Sequence, residues 1–141
     1  MTDIQAALGS SQLERLDEFI ARRHHLAGRY TDALRGLPLA TPRQDIDGKS
    51  AWHLYAVKLK LDQIRKTRRE VFDFLRAAGI RVNVHYIPVH LQPYYQGLGF
   101  KNGEFPNAEA YYRAAISLPI YFGLTEDEQD YVIDQISFAI C

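Results

Sequence analysis

His53-Leu54-Tyr55-Ala56-Val57-Lys58-Leu59-Lys60-Leu61 is the stretch on which the fold turns. Tyr55, Val57, Leu59 and Leu61 fall at every second position, with Lys58 and Lys60 between them. Successive strand side chains point to opposite faces, so this alternation predicts a strand with one face on a core and the other in water. A helical period follows. Val71, Phe72, Leu75 and Ala78 form the apolar stripe of a helix over 66–78, and Gly79 is placed to close it in the left-handed conformation.

Towards the C-terminus, a second strand is expected over 81–87. Pro88 and Pro93 bracket an irregular segment, and Gly97, Gly99 and Gly103 mark a tip with the composition of a mobile loop. Asn107 is expected to cap a helix over 108–115. Ile116-Ser117-Leu118-Pro119 has the form of a brief strand ended by proline. Thr125 and Glu128 have capping-box spacing and open a last helix with Tyr131, Val132, Ile136 and Ala139 on its apolar side.

Towards the N-terminus, Pro38, Pro42 and Gly48 make 37–49 a loop. Before it, Ile4, Leu8, Leu16, Ile20, Ala27, Tyr30 and Leu34 predict one long helix within residues 1–36. Thr2 and Gln5 have capping-box spacing at its start, and Gly36 and Pro38 stop it. Ala6, Ala7, Leu13 and Phe19 spread its apolar positions over more than one face, and Gly9-Ser10-Ser11 supplies a small-residue patch. Such a helix packs against something beyond its own domain. The expected class is α+β, with about three mainly antiparallel strands and helices on one side.

A chain of 141 residues suits one domain. Lys plus Arg balance Asp plus Glu at 17 each, so the basic excess of a nucleic-acid binder is missing. Arg65, Lys66, Arg68 and Arg69 do cluster, in the manner of a solvated helix start. No apolar run approaches the roughly 20 residues of a bilayer helix. Met1-Thr2-Asp3 has no signal-peptide character, and the expected location is cytoplasmic. Cys141, the single cysteine, makes neither an internal disulfide nor a zinc site.

The densest group of chemically able side chains is His85-Tyr86-Ile87-Pro88-Val89-His90-Leu91-Gln92-Pro93-Tyr94-Tyr95. Tyr and His offer flat faces for a nucleobase or sugar ring and hydrogen bonds at their tips. A proline-stiffened loop of half-buried aromatics accounts for the same residues. No metal is expected there: Pro88 forbids the helix that would align His85 with His90, and no acid or cysteine lies in the stretch. His24-His25 point about 100° apart on a helix and do not share an ion easily. His53 is expected to be packed or hydrogen-bonded. The five lysines, Lys49, Lys58, Lys60, Lys66 and Lys101, lie in charged, strand-face or loop surroundings, not the apolar setting of a Schiff-base amine. The chain therefore offers binding features and no catalytic centre.

Four stretches resemble the DegT/DnrJ/EryC1/StrS family of nucleotide-sugar aminotransferases: Met1-Thr2-Asp3-Ile4-Gln5-Ala6-Ala7-Leu8-Gly9, Trp52-His53-Leu54-Tyr55, residues 82–95, and Phe105-Pro106-Asn107-Ala108-Glu109 with Ile116-Ser117-Leu118-Pro119. The second and third, with Asn107-Ala108-Glu109, resemble the branch on the route to pseudaminic acid. Tyr121-Phe122-Gly123-Leu124 departs from the family, which usually has a proline before this glycine. The resemblance implies the small C-terminal domain of a fold-type-I aminotransferase dependent on pyridoxal phosphate (PLP). Residues 1–36 become a long interdomain helix and 50–141 an α/β subdomain, the large cofactor domain being absent. It further implies amino transfer from glutamate to a UDP-linked 4-keto-6-deoxy sugar, in a homodimer. An Asn-Tyr-Arg segment precedes the counterpart of Met1 in the family. The chain alone is expected to hold no cofactor and to be inactive, or else to be a stand-alone binding module. By resemblance His85, Tyr86, His90 and, more weakly, Tyr94 are substrate-binding residues that orient the sugar nucleotide without transferring protons.

Overall fold

The computed structural model describes residues 1–45 and 47–141. Ile46, within the expected 37–49 loop, lies outside the described residues. The elements run α1 (Asp3–Leu13), α2 (Leu16–Ala33), β1 (Leu39–Ala40), β2 (Tyr55–Leu59), α3 (Arg68–Ala77), a 3-10 turn (Val89–Leu91), α4 (Pro93–Gly97), α5 (Pro106–Ala114), β3 (Ala115–Leu118) and α6 (Glu126–Ile140). The class is α+β. The sheet has three strands in the order β1-β2-β3, antiparallel throughout. Tyr55 pairs with Leu118, Val57 with Ile116, and Leu59 with Leu39.

The alternation of β2 is realised as expected: Tyr55, Val57 and Leu59 are buried and Lys58 is exposed. All four residues of β3 are buried, so this strand is covered on both faces rather than one. Leu26, Tyr30, Leu34, Val71, Leu75, Ile116 and Ile136 share one core with the buried face of β2. Each such side chain contributes about 1.5–3 kcal/mol when taken from water.

Both expected capping boxes are present, at Thr2 with Gln5 and at Thr125 with Glu128. A third, Thr67 with Glu70, opens α3. Gly79 closes α3 at φ +79°, a conformation in which a Cβ is strained.

Four expectations are corrected. The single long helix is two, broken at Glu14-Arg15. The break falls where the chain first meets the rest of the fold: α1 buries nothing, whereas α2 buries Leu26, Ala27 and Tyr30. The loop after α2 contains a short strand, β1. The expected strand over 81–87 is reduced to one bridge, Asn83 to Ser117. Asn83 Oδ1 there accepts the Val84 amide at 2.8 Å, so a local bond takes a donor that a strand would give to its neighbour. Phe105, not Asn107, is the cap residue of α5, because Pro106 takes the first helical position, where its missing N–H costs nothing.

Candidate functional site

The bridge from Asn83 to β3 sets the position of His85. The Asn83 amide donates to the Ser117 carbonyl at 3.2 Å, and the Ser117 amide to that of Asn83 at 2.8 Å. Two residues on, His85 Nδ1 lies 2.8 Å from Ser117 Oγ. Asn83 Nδ2, which can only donate, lies 3.4 Å from His85 Nε2. In the neutral ring Nε2 is therefore the acceptor and Nδ1 carries the proton towards Ser117. His85 is thereby an oriented imidazole with both ring nitrogens held, Nε2 by Asn83 and Nδ1 by Ser117. Tyr86 packs edge-on against it, ring centroids 4.6 Å apart, and is 72% exposed. The peptide between the two is cis.

His90, in the 3-10 turn, is differently placed. It is buried, with Nε2 2.9 Å from Glu109 Oε1. The same oxygen accepts the amides of Gly103 at 2.7 Å and Phe105 at 3.4 Å. Gly103 sits at φ +98°, so the turn that presents its N–H needs a glycine. The hydrogen bond from His90, and after it the two amides, holds the Glu109 carboxyl below the usual carboxylate range. His90 Nδ1 bonds to none of the described residues. Its ring packs on Phe105 at 4.6 Å and helps line an apolar hollow of about 340 Å³ with Val89, Tyr95, Phe100 and Phe105. Tyr94 is 73% exposed and meets Tyr95 edge-on at 5.3 Å.

The structure thus brings His85 and Tyr86 into one unit. It places His90 in a second with Glu109, and Tyr94 beside that unit on α4. Glu109 was missed as the organiser of this loop. Its only sequence sign is the Asn107-Ala108-Glu109 motif, and its partner stands 19 residues away. His53 is exposed, not packed; its carbonyl, rather than its ring, is used, by Arg23 at 3.3 Å. No group of three or more His, Cys, Asp or Glu residues among the described ones can hold a metal. Among the described residues no helix is long and apolar enough to cross a membrane.

The described residues form an antiparallel α+β unit with a polar aromatic loop at the sheet edge. The chain belongs to the DegT/DnrJ/EryC1/StrS aminotransferase family, which it matches over residues 1–137. It is 44% identical over 139 residues to the spore coat polysaccharide biosynthesis protein SpsC of Bacillus subtilis, covering 96% of this chain and 36% of SpsC. The sugar aminotransferase Spr1654 of Streptococcus pneumoniae, in its PLP form, superposes with a TM-score of 0.91 at 32% identity, over 99% of this chain and 36% of that one. PseC of Helicobacter pylori, an aminotransferase of pseudaminic acid biosynthesis, superposes at 0.90 with 26% identity, over 99% of this chain and 38% of that one. The chain spans about 36% of the length of the curated relatives it matches.

PLP is the cofactor that this family implies. The residues described here do not fit it by themselves. Lys49, Lys58, Lys60 and Lys101 are exposed, and half-buried Lys66 donates to the Ala139 carbonyl at 2.9 Å. Lys66 also lies over the rings of Phe74 and Phe138, so its amine is packed and hydrogen-bonded rather than free to attack a carbonyl.

Proposed function

We propose that this chain is the carboxy-terminal small domain of a PLP-dependent sugar aminotransferase, with residues 1–36 as an interdomain helical segment and 50–141 as the α/β subdomain. The observation that carries this reading is the family match over residues 1–137 by a chain about 36% as long as its relatives. Cofactor chemistry belongs to the part of the relatives that this chain does not span. This chain's share is to receive the substrate.

The substrate is a UDP-linked 4-keto-6-deoxy sugar on the route to pseudaminic acid, and the amino donor is glutamate. Supporting this are Trp52-His53-Leu54-Tyr55, residues 82–95 and Asn107-Ala108-Glu109, together with the likeness to PseC. His85 offers its partly exposed ring, both nitrogens being held by Asn83 and Ser117, and Tyr86 offers an exposed ring and phenol. His90 keeps Nδ1 for a ligand while Nε2 anchors the loop. Tyr94 supplies an outer face. Substrate is oriented here by hydrogen bonds and stacking. The enzyme works as a cytoplasmic homodimer, α1 being covered by the rest of the assembly.

The test is amination of 4-keto-6-deoxy sugars carried on UDP, dTDP or GDP by the complete enzyme with glutamate. UDP should be preferred by kcat/KM. Preference for dTDP or GDP would remove the UDP assignment and leave the class intact; no amination of any of them would remove both.

A further inference from the structure

We propose that the basic cavity before α3 is a ligand site for a polyphosphate group, a role independent of the sugar-binding loop. The cavity measures about 360 Å³. Arg65, Lys66, Arg68, Arg69 and Arg113 line it, and no acidic residue does. This local excess arises in a chain whose charges balance overall at 17 each.

Two of the five cations are already engaged. Lys66 donates to the Ala139 carbonyl, and Arg69 pairs with Asp73 at 2.7 Å. Arg65, Arg68 and Arg113 have no acidic partner among the described residues. Arg68 is the telling one. Its guanidinium lies 5.3 Å from the Tyr112 ring centroid, and its Nε is buried without a hydrogen-bond partner. A guanidinium is always charged, and a buried donor on it without an acceptor is costly. Three unpaired guanidinium groups around one hollow also repel each other. An anion in the hollow relieves both costs, and the guanidinium fork matches phosphate oxygens.

Backbone amides of the helix start do not carry the site. Thr67 N and Glu70 N are taken inside the capping box, at 2.7 and 3.3 Å. Three free cations exceed the charge of one phosphate, which favours a diphosphate. The site also lies towards the opposite end of the β2–β3 pair from His85. Arg113 precedes Ala115, the partner of Lys58, whereas His85 is held by Ser117, the partner of Ala56.

The experiment is calorimetric titration of this 141-residue chain with inorganic pyrophosphate, UDP and orthophosphate, at low and high salt. Pyrophosphate and UDP should bind with similar affinity, orthophosphate more weakly, and salt should weaken all three. Arg65→Gln with Arg113→Gln, both exposed and expected to leave the circular dichroism unchanged, should lower pyrophosphate affinity by roughly tenfold or more. Arg68→Gln should do the same; if it fails to fold, the double variant decides. The proposal is overturned by absence of pyrophosphate binding, or by binding that survives the double variant. It is also overturned if UDP binding is lost in His85→Ala but kept in the double variant, or if an oligonucleotide binds where pyrophosphate does not.

Discussion

His90 Nε2 and Glu109 Oε1 lie 2.9 Å apart with both side chains buried, and this pair ties the 3-10 turn to α5. Because Glu109 also accepts the Gly103 and Phe105 amides, one carboxylate closes the whole segment between the turn and the helix.

Acid should therefore loosen this loop. Glu109 has its carboxyl pKa depressed in the folded state, first by the His90 bond. A depressed pKa contributes stability that is present above the unfolded value, about 4.3, and is lost as pH falls through the folded value. Glu109→Gln should lower Tm near neutral pH, and the gap from wild type should shrink as pH falls below about 4. Thermal melts across that range check this. A gap that stays constant with pH would show that the carboxylate charge is not what stabilises the loop.

What was legible in the sequence was whatever is encoded locally. The alternation of Tyr55, Val57 and Leu59 marks β2, and Thr125 with Glu128 marks the start of α6. Features set by distant partners were not. The two-residue β1 exists because Leu39 finds Leu59, and nothing around Leu39 announces that. Residues 81–87 have strand composition, but Asn83 spends its side chain on the next amide and His85 on Ser117. In the candidate site the loop was visible as a cluster of His, Tyr and Pro. The division of His85 from His90 depends on Ser117 and Glu109, 32 and 19 residues away.

The uncovered apolar residues of α1 give a second prediction. Ile4, Leu8 and Leu13 are exposed, Ile4 by 83%, and the helix buries no residue. Large apolar side chains left exposed together on one helix mark an interaction surface. The chain should therefore dimerise or bind a hydrophobic dye, by sedimentation and fluorescence. Ile4→Glu with Leu8→Glu should abolish either behaviour while changing stability by no more than about 0.5 kcal/mol. A strict monomer that binds no dye would contradict the covered-helix reading.

Tyr30 joins α2 to the end of β3. Its hydroxyl donates to the Pro119 carbonyl at 2.9 Å, and its buried ring packs on Tyr55 at 5.0 Å. Burial holds its phenol pKa above the usual range, so the hydroxyl stays a donor at ordinary pH. Tyr30→Phe keeps the ring and removes the bond, and should cost about 0.5–1.5 kcal/mol in urea unfolding. No measurable loss would mean that water replaces the hydroxyl at Pro119.

In the complete enzyme, His85→Ala or Tyr86→Ala should weaken use of the sugar nucleotide by about 0.5–1.5 kcal/mol for each lost hydrogen bond. The half-reaction with glutamate does not need the sugar and should be nearly untouched. Stopped-flow spectra of the two half-reactions separate these effects. Equal losses in both would assign the loop to the fold or the cofactor.

The last prediction is that this chain alone does not transaminate. The reaction needs an amine able to form a Schiff base, a group to hold the pyridinium nitrogen, and a cradle for the phosphate. The amine must be desolvated or otherwise activated, yet four lysines are exposed and Lys66 is committed to Ala139 and two aromatic rings. The pyridinium partner is ordinarily a buried acid. Glu109, the one buried acid among the described residues, is already taken up by His90 and two amides. The basic cavity can attract a phosphate, but it provides neither of the other parts, and the three act together. Treating the chain with PLP and borohydride should give scattered, substoichiometric labelling by mass, and glutamate should not aminate a UDP-4-keto sugar beside it. Stoichiometric label on one lysine together with turnover would falsify this prediction and place the catalytic centre within these 141 residues.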